Sequence, residues 1–460
     1  MKTRGKRFPG QLVEIPSEFK RHVTGKGGDN LRNISTLTGA QVFPRGNKRY
    51  ELRGSEIGVK HAELLLKRKV ASARVKTDII CCYIDDRNLP EGCDLTLVPV
   101  EELERMVLPG SRSQYRLRPS EEYELAAGIQ SDIPSYQANL VGHVLACLRK
   151  IKHEIESKKF QEADMWCHFG TAIIREPDEA DVAEIWNITE AVAKLQNSAS
   201  GKKSDWRIAF KEGVQIDKKV LQETFGTQPD EDDLYAARYD LCFLTPRGRS
   251  MRCKVWVAKK GVQSKLQELP IPYSDVRNIV EELHLEDEWT RSRCRAWLVL
   301  SSPKYLQADI ICPGCVVDCR IMIRPLSTYA THSSKYEQEQ TKVLAGYLSK
   351  LTFTEANGIH LPDETLPEGF LFNYQRCSRR TMCVPRDGFT LIVSEESIWC
   401  RDDRGEQNRE TTDLHLSCEE WYRALSGEDW EPETIVSKLP EFLQFVHQVQ
   451  DFLSLSNCSV

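Results

Sequence analysis

The sequence predicts an α+β protein with a small basic N-terminal domain and a large acidic body built on a mostly antiparallel sheet. Three observations support this prediction. Residues 1–76 contain 18 Lys and Arg against 6 Asp and Glu, whereas the rest of the chain contains 45 against 62. Within residues 11–75, short apolar runs of strand length alternate with segments of helical spacing. Beyond residue 205, apolar residues recur mainly at every second position, as in antiparallel strands.

Composition bounds the class of protein. The chain of 460 residues is 40% hydrophobic and 28% charged, which is typical of a globular protein of several domains. No apolar run approaches the roughly 18–20 residues of a membrane-spanning helix, and the basic N-terminus lacks the apolar core of a signal peptide. Sixteen cysteines, several on apolar runs such as residues 79–82, favour reduced thiols. We therefore expect a protein of the cytoplasm or nucleus without a membrane partner.

The first 75 residues predict six short elements. A strand over 12–15 ends at Pro16, and Ser17 is a suitable N-cap for a first helix. The bend Gly25-Lys26-Gly27-Gly28 follows. A second helix has apolar residues at helical spacing and ends at Gly39, the residue type that favours a helix C-terminus. Strands near 41–43 and 50–52 and a helix from about residue 55 complete the order strand, helix, helix, strand, strand, helix.

This order, with a G-x-x-G bend between its first two helices, resembles the type I K homology (KH) domain over about residues 11–75. The match is specific because it holds in register over many positions: Val23, Gly25, Lys26, Gly27, Gly28, Asn30, Leu31, Arg32, Ile34, Thr38, Gly39, Ala40 and Val42. The resemblance implies a βααββα fold that binds single-stranded nucleic acid. A phosphate-binding P-loop is excluded because neither Ser nor Thr follows Lys26 and the glycines are too closely spaced.

The resemblance places a nucleic-acid site at this bend. Glycine lets backbone amides approach a phosphate, and the second helix points its positive N-terminus at the same place. In KH domains the loop clamps the backbone of about four nucleotides. The residues implied for RNA binding are Gly25, Lys26, Gly27, Gly28, Asn30, Leu31, Arg32, Val42 and Arg45. The apolar members also fit ordinary core positions, and Asp29 is predicted to cap the second helix and so to compete with phosphate for the amides.

Three regions are predicted along the chain: the KH domain over 1–76, a mixed α/β region over 77–197, and an α+β region rich in antiparallel strands over 205–460. The polar stretch 196–205 is the predicted linker. In the second region Leu140, Val144 and Leu148 mark a long helix. In the third, alternating residues on both sides of the turn 246–249 predict a hairpin.

Few residues of the body suggest chemistry. Cys312 and Cys315, with Cys319 nearby, have the spacing of half a zinc site, but the Pro-Gly between them also suits a hairpin turn, which we favour. His168 and His360 lie in apolar runs without an adjacent nucleophile. The acids over 229–233 are more typical of a solvated loop than of a metal site. The sequence therefore predicts no catalytic residue, no metal and no cofactor.

One basic group stands out in the acidic body. Arg247 and Arg249 lie on the hairpin turn, with Arg252 and Lys254 on the strand that follows. This group could extend a nucleic-acid path, or it could be an exposed hairpin tip. We favour the exposed tip.

Two functions remain open at this stage. In the first, the protein is a non-catalytic adaptor that binds single-stranded RNA, and its body binds other proteins. In the second, the body is an RNA-processing or RNA-modifying enzyme that the KH domain delivers to its substrate. An enzyme predicts a polar cleft of convergent acids and histidines, whereas an adaptor predicts an apolar surface patch. The lack of a catalytic motif favours the adaptor, and the pattern leaves single-stranded DNA open as a ligand.

Overall fold

The computed structural model describes residues 10–74, 77–87, 89–90, 92–99, 114–120, 136–157, 160, 162–175, 184–199, 204–208, 218–225, 234–268, 279–300, 304–326, 335–402, 405–427 and 430–455. Within these residues the strands form a three-stranded sheet, a 14-stranded sheet and a two-stranded sheet. The acidic run over 229–233 lies outside the described residues.

The N-terminal domain has the predicted order of elements. These are β1 (Gln11–Glu14), α1 (Lys20–Thr24), α2 (Asp29–Thr38), β2 (Gln41–Arg45), β3 (Arg49–Arg53) and α3 (Glu56–Arg74). The strands form an antiparallel sheet in the order β1-β3-β2, and its core includes the fully buried Val23, Leu52 and Val70. The start of the first helix differs from the prediction. A 3-10 turn over Ser17–Phe19 precedes α1, and no side chain caps that turn.

Two glycines fix the packing of the helices in this domain. Gly39 ends α2 in the left-handed region, with φ 67°, and its N–H donates to the carbonyl of Ser35 at 3.0 Å. Gly58 lies in the first turn of α3 against the end of α2, where a Cβ would come within 2.6 Å of the Thr38 oxygen. Because only a residue without a side chain allows this approach, Gly58 sets the distance between α2 and α3.

The body is built on the large sheet, which is mostly antiparallel as predicted. Its strands are β4 (Ile79–Ile84), β5 (Leu95–Pro99), β6 (Gln114–Pro119), β7 (Glu162–Arg175), β8 (Ser204–Ile208), β9 (Tyr235–Leu244), β10 (Ser250–Ala258), β11 (Ile279–Leu283), β12 (Cys294–Leu300), β13 (Leu306–Ile311), β14 (Asp318–Leu326), β17 (Leu371–Arg386), β18 (Phe389–Asp402) and β19 (Gly405–Cys418); β15 (Thr352–Thr354) and β16 (Gly358–His360) form the separate pair. The main path runs β11-β12-β10-β9-β17-β18-β19-β7-β14-β13-β4. Only the β13 and β4 pair is parallel among the described pairs.

Helices of the body pack on this sheet. They are α4 (Gln137–Glu156), α5 (Ile188–Ala199), α6 (Lys218–Phe225), α7 (Glu288–Arg293), α8 (Lys335–Leu348), α9 (Glu419–Leu425), α10 (Pro432–Ser437) and α11 (Leu439–Leu455). The long helix predicted from Leu140, Val144 and Leu148 is α4. Helix α5 continues to Ala199 and β8 starts at Ser204, so both ends of the predicted linker 196–205 lie in regular elements. The predicted domain boundaries remain predictions.

The large sheet has two unlike faces because successive side chains of a strand point to opposite sides. One face, here called the apolar face, packs under α4, α8 and α11. Its residues include Cys167 on β7, Leu241 on β9 and Ile321 on β14. The opposite face, here called the polar face, carries the alternate residues of the same strands, such as His168 and Arg320, which are partners in the register of β7 and β14.

The N-terminal domain contacts the body through α3. Lys67, whose side chain is 2% exposed, forms an ion pair with Glu63 at 2.8 Å and donates to the carbonyl of Gly369. Arg68 donates through Nε to Asn373 at 2.7 Å. The hairpin turn between β9 and β10 also contacts α3, because Gly248 is buried against Val70. The prediction that this turn is a free exposed tip is therefore wrong, although Arg247 itself is exposed.

Candidate nucleic-acid interface

The GKGG loop, residues 25–28, has a backbone that requires its glycines. Gly25, Gly27 and Gly28 have φ values of 75°, 61° and 85°, which L side chains rarely adopt. Gly25 also has no room for a side chain, because a Cβ there would lie 2.9 Å from the backbone nitrogen of Asn30. A Cβ at Gly27, in contrast, would meet nothing within 4 Å. The middle of the loop thus faces open space, where a ligand can approach the backbone.

Asn30 and Arg32 support the loop from the first turn of α2. The Asn30 amide donates to the carbonyl of His22 at 2.8 Å and so joins the start of α2 to the end of α1. Arg32 donates to the carbonyl of Gly27 at 2.9 Å and forms an ion pair with Asp29. Both side chains therefore hold the loop in place, which is a structural role that the sequence pattern alone does not indicate.

Asp29 does not have the predicted capping role. No side chain caps the N-terminus of α2, and the hydrogen bond that the described structure gives to the Asp29 carboxylate comes from Arg32. Because this carboxylate turns toward the guanidinium, it leaves the amides at the helix start uncovered. The competition that we expected between Asp29 and a phosphate is accordingly weaker than the sequence suggested.

Lys26 supplies the open positive charge of the loop. Its side chain is exposed, and within the described part of the chain it forms no ion pair. Arg45, at the end of β2, is instead paired with Glu51 at 2.5 Å. Hydrogen bonds from Arg45 and Arg53 lower the pKa of Glu51, so this carboxylate stays ionised at neutral pH and neutralises part of the charge at the strand edge.

The apolar residues of the predicted groove belong to the domain core. Leu31 is 7% exposed and Val42 is 9% exposed, whereas Val23 is fully buried and Ile34 is 2% exposed. Leu31 and Val42 are thus the members nearest the surface. Their role in contacting bases stays a prediction, and so does the role of each residue implied for RNA binding.

The other candidate groups have structural explanations. The Pro-Gly between Cys312 and Cys315 makes the predicted turn of the β13–β14 hairpin, since the N–H of Cys315 donates to the carbonyl of Cys312 at 2.9 Å. Both thiols are buried, and neither forms a disulfide. Among the residues that the structure describes, no group of three or more His, Cys, Asp or Glu is arranged to hold a metal ion. His360 lies in the short β16, where its Nε2 is 3.3 Å from the Thr354 hydroxyl.

The polar face of the body gathers charged residues that the sequence analysis left apart. His168 lies beside Arg320 on one neighbouring strand and His415 on the other. Asp413 is 3.9 Å from the nearer ring nitrogen of His168. Across the sheet, Glu396 is 3.5 Å from Arg376. The signal that could have revealed this face is the even spacing of charged residues on an apolar strand, as in Arg320 and Arg324, which lie four positions apart and so on the same face.

Burial shifts the pKa values of groups on this face. It lowers the pKa of His168 to about 3, and nearby cations, Lys304 and Arg320 foremost, add to the shift. Burial likewise lowers the pKa of Lys304 to about 8, with further repulsion from Arg320. The pKa of Glu396 is raised to about 7, because burial and Asp413 outweigh the attraction of Arg376. At neutral pH, then, the histidine is uncharged and Glu396 is partly protonated.

Comparisons with known proteins agree with the fold of the N-terminal domain. Residues 10–68 match the family model of the KH domain. No curated protein matches the chain. Two solved structures of the S. pombe Pct1 RNA triphosphatase, the first in complex with the Spt5 CTD, are similar at 9% and 12% identity, and each similarity covers 72% of this chain and 98% of theirs. Their TM-scores are 0.35 and 0.33, too low to carry an inference about function. Within the described residues, no helix is long and apolar enough to cross a membrane.

Proposed function

We propose that this chain, which carries a KH domain over residues 10–68, binds single-stranded RNA through the GKGG loop. A KH domain supports a nucleic acid as partner. The observation that carries the finer proposal is the open middle of the loop, where Gly27 has free space at its Cβ position and Lys26 is exposed without an ion pair to any described residue. A phosphate placed there would meet loop amides, the N-terminus of α2 and one mobile cation.

The proposal places the protein in the cytoplasm or nucleus. None of the 14 cysteines whose side chains the structure describes forms a disulfide, and most of them are buried. A reducing compartment preserves such thiols. A single clamp of about four nucleotides reads little sequence. We therefore propose that the body adds specificity, either as an adaptor that binds a protein partner or through its own contacts to RNA.

Charge reversal in the loop tests RNA binding. We expect the double substitution Lys26→Asp, Gly27→Asp to weaken binding of a short unstructured RNA to the full chain by about tenfold or more at low salt, because two carboxylates would face the phosphates. The fold should survive, since Asp tolerates the left-handed region better than most residues and its Cβ meets nothing within 4 Å at position 27. Fluorescence anisotropy at two salt concentrations measures the RNA affinity, and circular dichroism checks that the variant is folded.

Lys60→Asp provides the matched control. Lys60 is an exposed lysine on α3 that pairs with Glu56, one turn away, at 2.8 Å. Its reversal therefore changes the charge of the same domain away from the loop. If RNA affinity fell equally in the loop variant and in Lys60→Asp, the loss would be due to the net charge of the domain and not to the loop. RNA binding that persists in a folded loop variant would contradict the proposal. Single-stranded DNA of the same sequence, titrated in parallel, shows whether the loop prefers RNA to DNA.

The polar face favours a second candidate, an RNA-processing enzyme. Its convergent carboxyls and histidine are the feature that we expected of an enzyme rather than of an adaptor. Incubation of labelled RNA with the full chain and with Glu396→Gln tests this candidate. A change in RNA length or end group that disappears in the variant would support it, and intact RNA with both proteins under varied metal and pH conditions would count against it.

A further inference from the structure

Asp29 and Arg32 form an ion pair on the surface of the GKGG loop. They lie three positions apart at the start of α2, and the Arg32 guanidinium donates through Nη2 to the Asp29 carboxylate. The Asp29 side chain is 62% exposed and that of Arg32 is 66% exposed. An ion pair this exposed is weak, because water screens the attraction and both side chains lose freedom. Another anion can therefore replace Asp29 at little cost.

Arg32 also lies beside the open middle of the loop. Its Nη1 donates to the Gly27 carbonyl at 2.9 Å. Because a carbonyl oxygen lies about 2.4 Å from the Cα of its own residue, this nitrogen is within roughly 5 Å of the Gly27 Cα. A Cβ at Gly28 would lie 3.6 Å from the same Nη1. A phosphate in the open space at Gly27 would thus be within reach of Arg32 as well as of Lys26.

A phosphate is a better partner than Asp29 for this guanidinium. The Asp29 carboxylate accepts from Nη2, while Nη1 is bonded to the Gly27 carbonyl. Arginine binds phosphate oxygens through paired hydrogen bonds, which are among the strong ones in proteins. The carboxylate repels a phosphate that approaches the same guanidinium. Binding of a phosphate at Arg32 therefore requires that Asp29 release the guanidinium.

Arg45, the other arginine implied for RNA binding, is held more firmly. Its partner Glu51 lies between two arginines, with Arg45 at 2.5 Å and Arg53 at 2.6 Å. The Glu51 side chain is only 14% exposed, so water competes less for its carboxylate than for that of Asp29. Of the two arginines, Arg32 is therefore the one that can exchange its partner more readily.

We propose that Asp29 is an internal counter-ion of the RNA clamp, which holds Arg32 until a phosphate of the bound strand replaces it and so limits the affinity of the loop for RNA. This inference rests on the proposed function of the GKGG loop. It goes further because it gives Asp29 a role in setting the affinity and makes Arg32 a phosphate contact that forms only by exchange of partners.

Asp29→Asn tests the role of the carboxylate. The amide keeps the shape of the side chain but carries no charge, so it neither holds the guanidinium in an ion pair nor repels a phosphate. We expect the full chain with Asp29→Asn to bind a short unstructured RNA about 3- to 10-fold more tightly than the wild type at low salt. Fluorescence anisotropy measures the affinity, and circular dichroism checks that the variant is folded. An affinity equal to that of the wild type would overturn the proposal.

Glu56→Gln is the matched control. Glu56 is also an acid in the first turn of a helix, α3, and it pairs with a cation one turn later, Lys60, at 2.8 Å. The start of α3 packs against the end of α2 that is opposite to the loop, about 15 Å away along that helix. The control changes the net charge by the same amount, and we expect its RNA affinity to stay within about twofold of the wild type. An equal gain in Glu56→Gln and Asp29→Asn would overturn the proposal.

Arg32→Gln shows whether Asp29 acts through the guanidinium. This variant should bind RNA about 5- to 10-fold more weakly, and the slope of log affinity against log salt should fall by roughly 0.7, as for one lost phosphate contact on a single strand. Asp29→Asn added to Arg32→Gln should change the affinity by less than about twofold, because no guanidinium remains to be released. The same gain from Asp29→Asn with and without Arg32 would mean that Asp29 repels the strand directly, which would contradict the proposed exchange.

Arg32→Lys separates the charge of Arg32 from its support of the loop. Lysine keeps the positive charge but lacks the fork that bonds the Gly27 carbonyl. We expect weaker RNA binding than in the wild type with a similar salt dependence. If the salt dependence of Arg32→Lys fell as far as that of Arg32→Gln, Arg32 would only support the loop, and the proposal would be wrong.

The loop variant Lys26→Asp, Gly27→Asp distinguishes a failure of this inference from a failure of the proposed function. If that variant loses RNA binding while Asp29→Asn binds like the wild type, the loop is the RNA site and only the role of Asp29 is wrong. If the wild type binds no RNA, or if the folded loop variant binds as tightly as the wild type, both the proposed function and this inference are wrong.

Discussion

The N-terminal domain and the body both collect positive charge, but they hold it in opposite surroundings. In the GKGG loop one lysine stands exposed on a glycine backbone, and the nearby Arg32 and Arg45 are already paired with carboxylates. In the body the cations line an enclosed face, and burial shifts the pKa of Lys304 to about 8. Salt screens exposed charges strongly and enclosed charges weakly. The positive charge of the loop is therefore open to solvent, whereas arginines of the body such as Arg320 and Arg324 are held by carboxylates of the protein.

The largest effect is expected where a cation of the N-terminal domain is itself enclosed. Lys67→Ala would remove the ion-pair partner of Glu63, whose side chain is 9% exposed, and leave it the hydrogen bond from Gln11. The substitution would also remove the hydrogen bond to Gly369 that joins the two regions. We expect a loss of about 3–5 kcal/mol in the free energy of unfolding. Chemical denaturation measures it.

Lys60→Ala is the exposed counterpart on the same helix. The Lys60 and Glu56 side chains are 68% and 80% exposed, so water screens their attraction and the loss should be much smaller than for Lys67→Ala. Equal losses for Lys60→Ala and Lys67→Ala would contradict the difference that we draw between exposed and enclosed cations.

A second effect concerns the pH dependence of stability. Burial raises the pKa of Glu396 from 4.5 to about 7, with Asp413 adding to the shift, Arg376 and Arg238 opposing it, and Asp240 also nearby. Between these values the folded protein binds more protons than the unfolded chain, so stability falls as pH rises through this window. The contribution amounts to about 2–3 kcal/mol.

Comparison with Glu396→Gln isolates this contribution, because the amide does not titrate. His168, whose folded pKa is about 3, acts in the opposite direction below pH 6.5 but is the same in both proteins. The wild type should lose stability relative to the variant from about pH 4.5 to 7. If the free energies of unfolding of the wild type and of Glu396→Gln changed equally with pH across that range, Glu396 would not be enclosed as described.

The smallest effect compares two helical glycines. Gly58→Ala should destabilise the N-terminal domain by about 1–3 kcal/mol, since its Cβ would lie 2.6 Å from the Thr38 oxygen. Gly142→Ala in α4 meets nothing within 4 Å and should stabilise the body by roughly 0.4–1 kcal/mol. Thermal unfolding measures whether each substitution lowers or raises the unfolding temperature. A higher unfolding temperature for Gly58→Ala would show that α2 and α3 are less closely packed than the structure describes.

The N-terminal domain was predictable from sequence because its information is local. The glycines of the loop, the C-cap at Gly39 and the apolar spacing of α3 lie within a few residues of their partners. The pairing of Arg32 with Asp29 was not predictable, since it depends on which of several donors and acceptors the side chains choose. The same ambiguity led to the capping role wrongly expected for Asp29.

The body was predictable in its local elements but not in the arrangement of its polar face. The helix marked by Leu140, Val144 and Leu148 is α4, and the hairpin around the turn 246–249 joins β9 and β10. The sequence did not predict β19, because the polar run at its start, from Gly405 onward, shows no apolar alternation. The polar face depends on the pairing of strands that are distant in sequence, such as β7 with β14. No local pattern encodes that pairing.

The most direct test of the account compares two charge-reversed variants on one ligand. The full chain, its Lys26→Asp, Gly27→Asp variant and its Lys60→Asp variant would be titrated with a short unstructured RNA. We expect the loop variant to lose RNA binding and the Lys60→Asp variant to keep it. If RNA binding survived in the folded loop variant, or fell equally in both variants, the account of the GKGG loop as the RNA-binding site would be wrong.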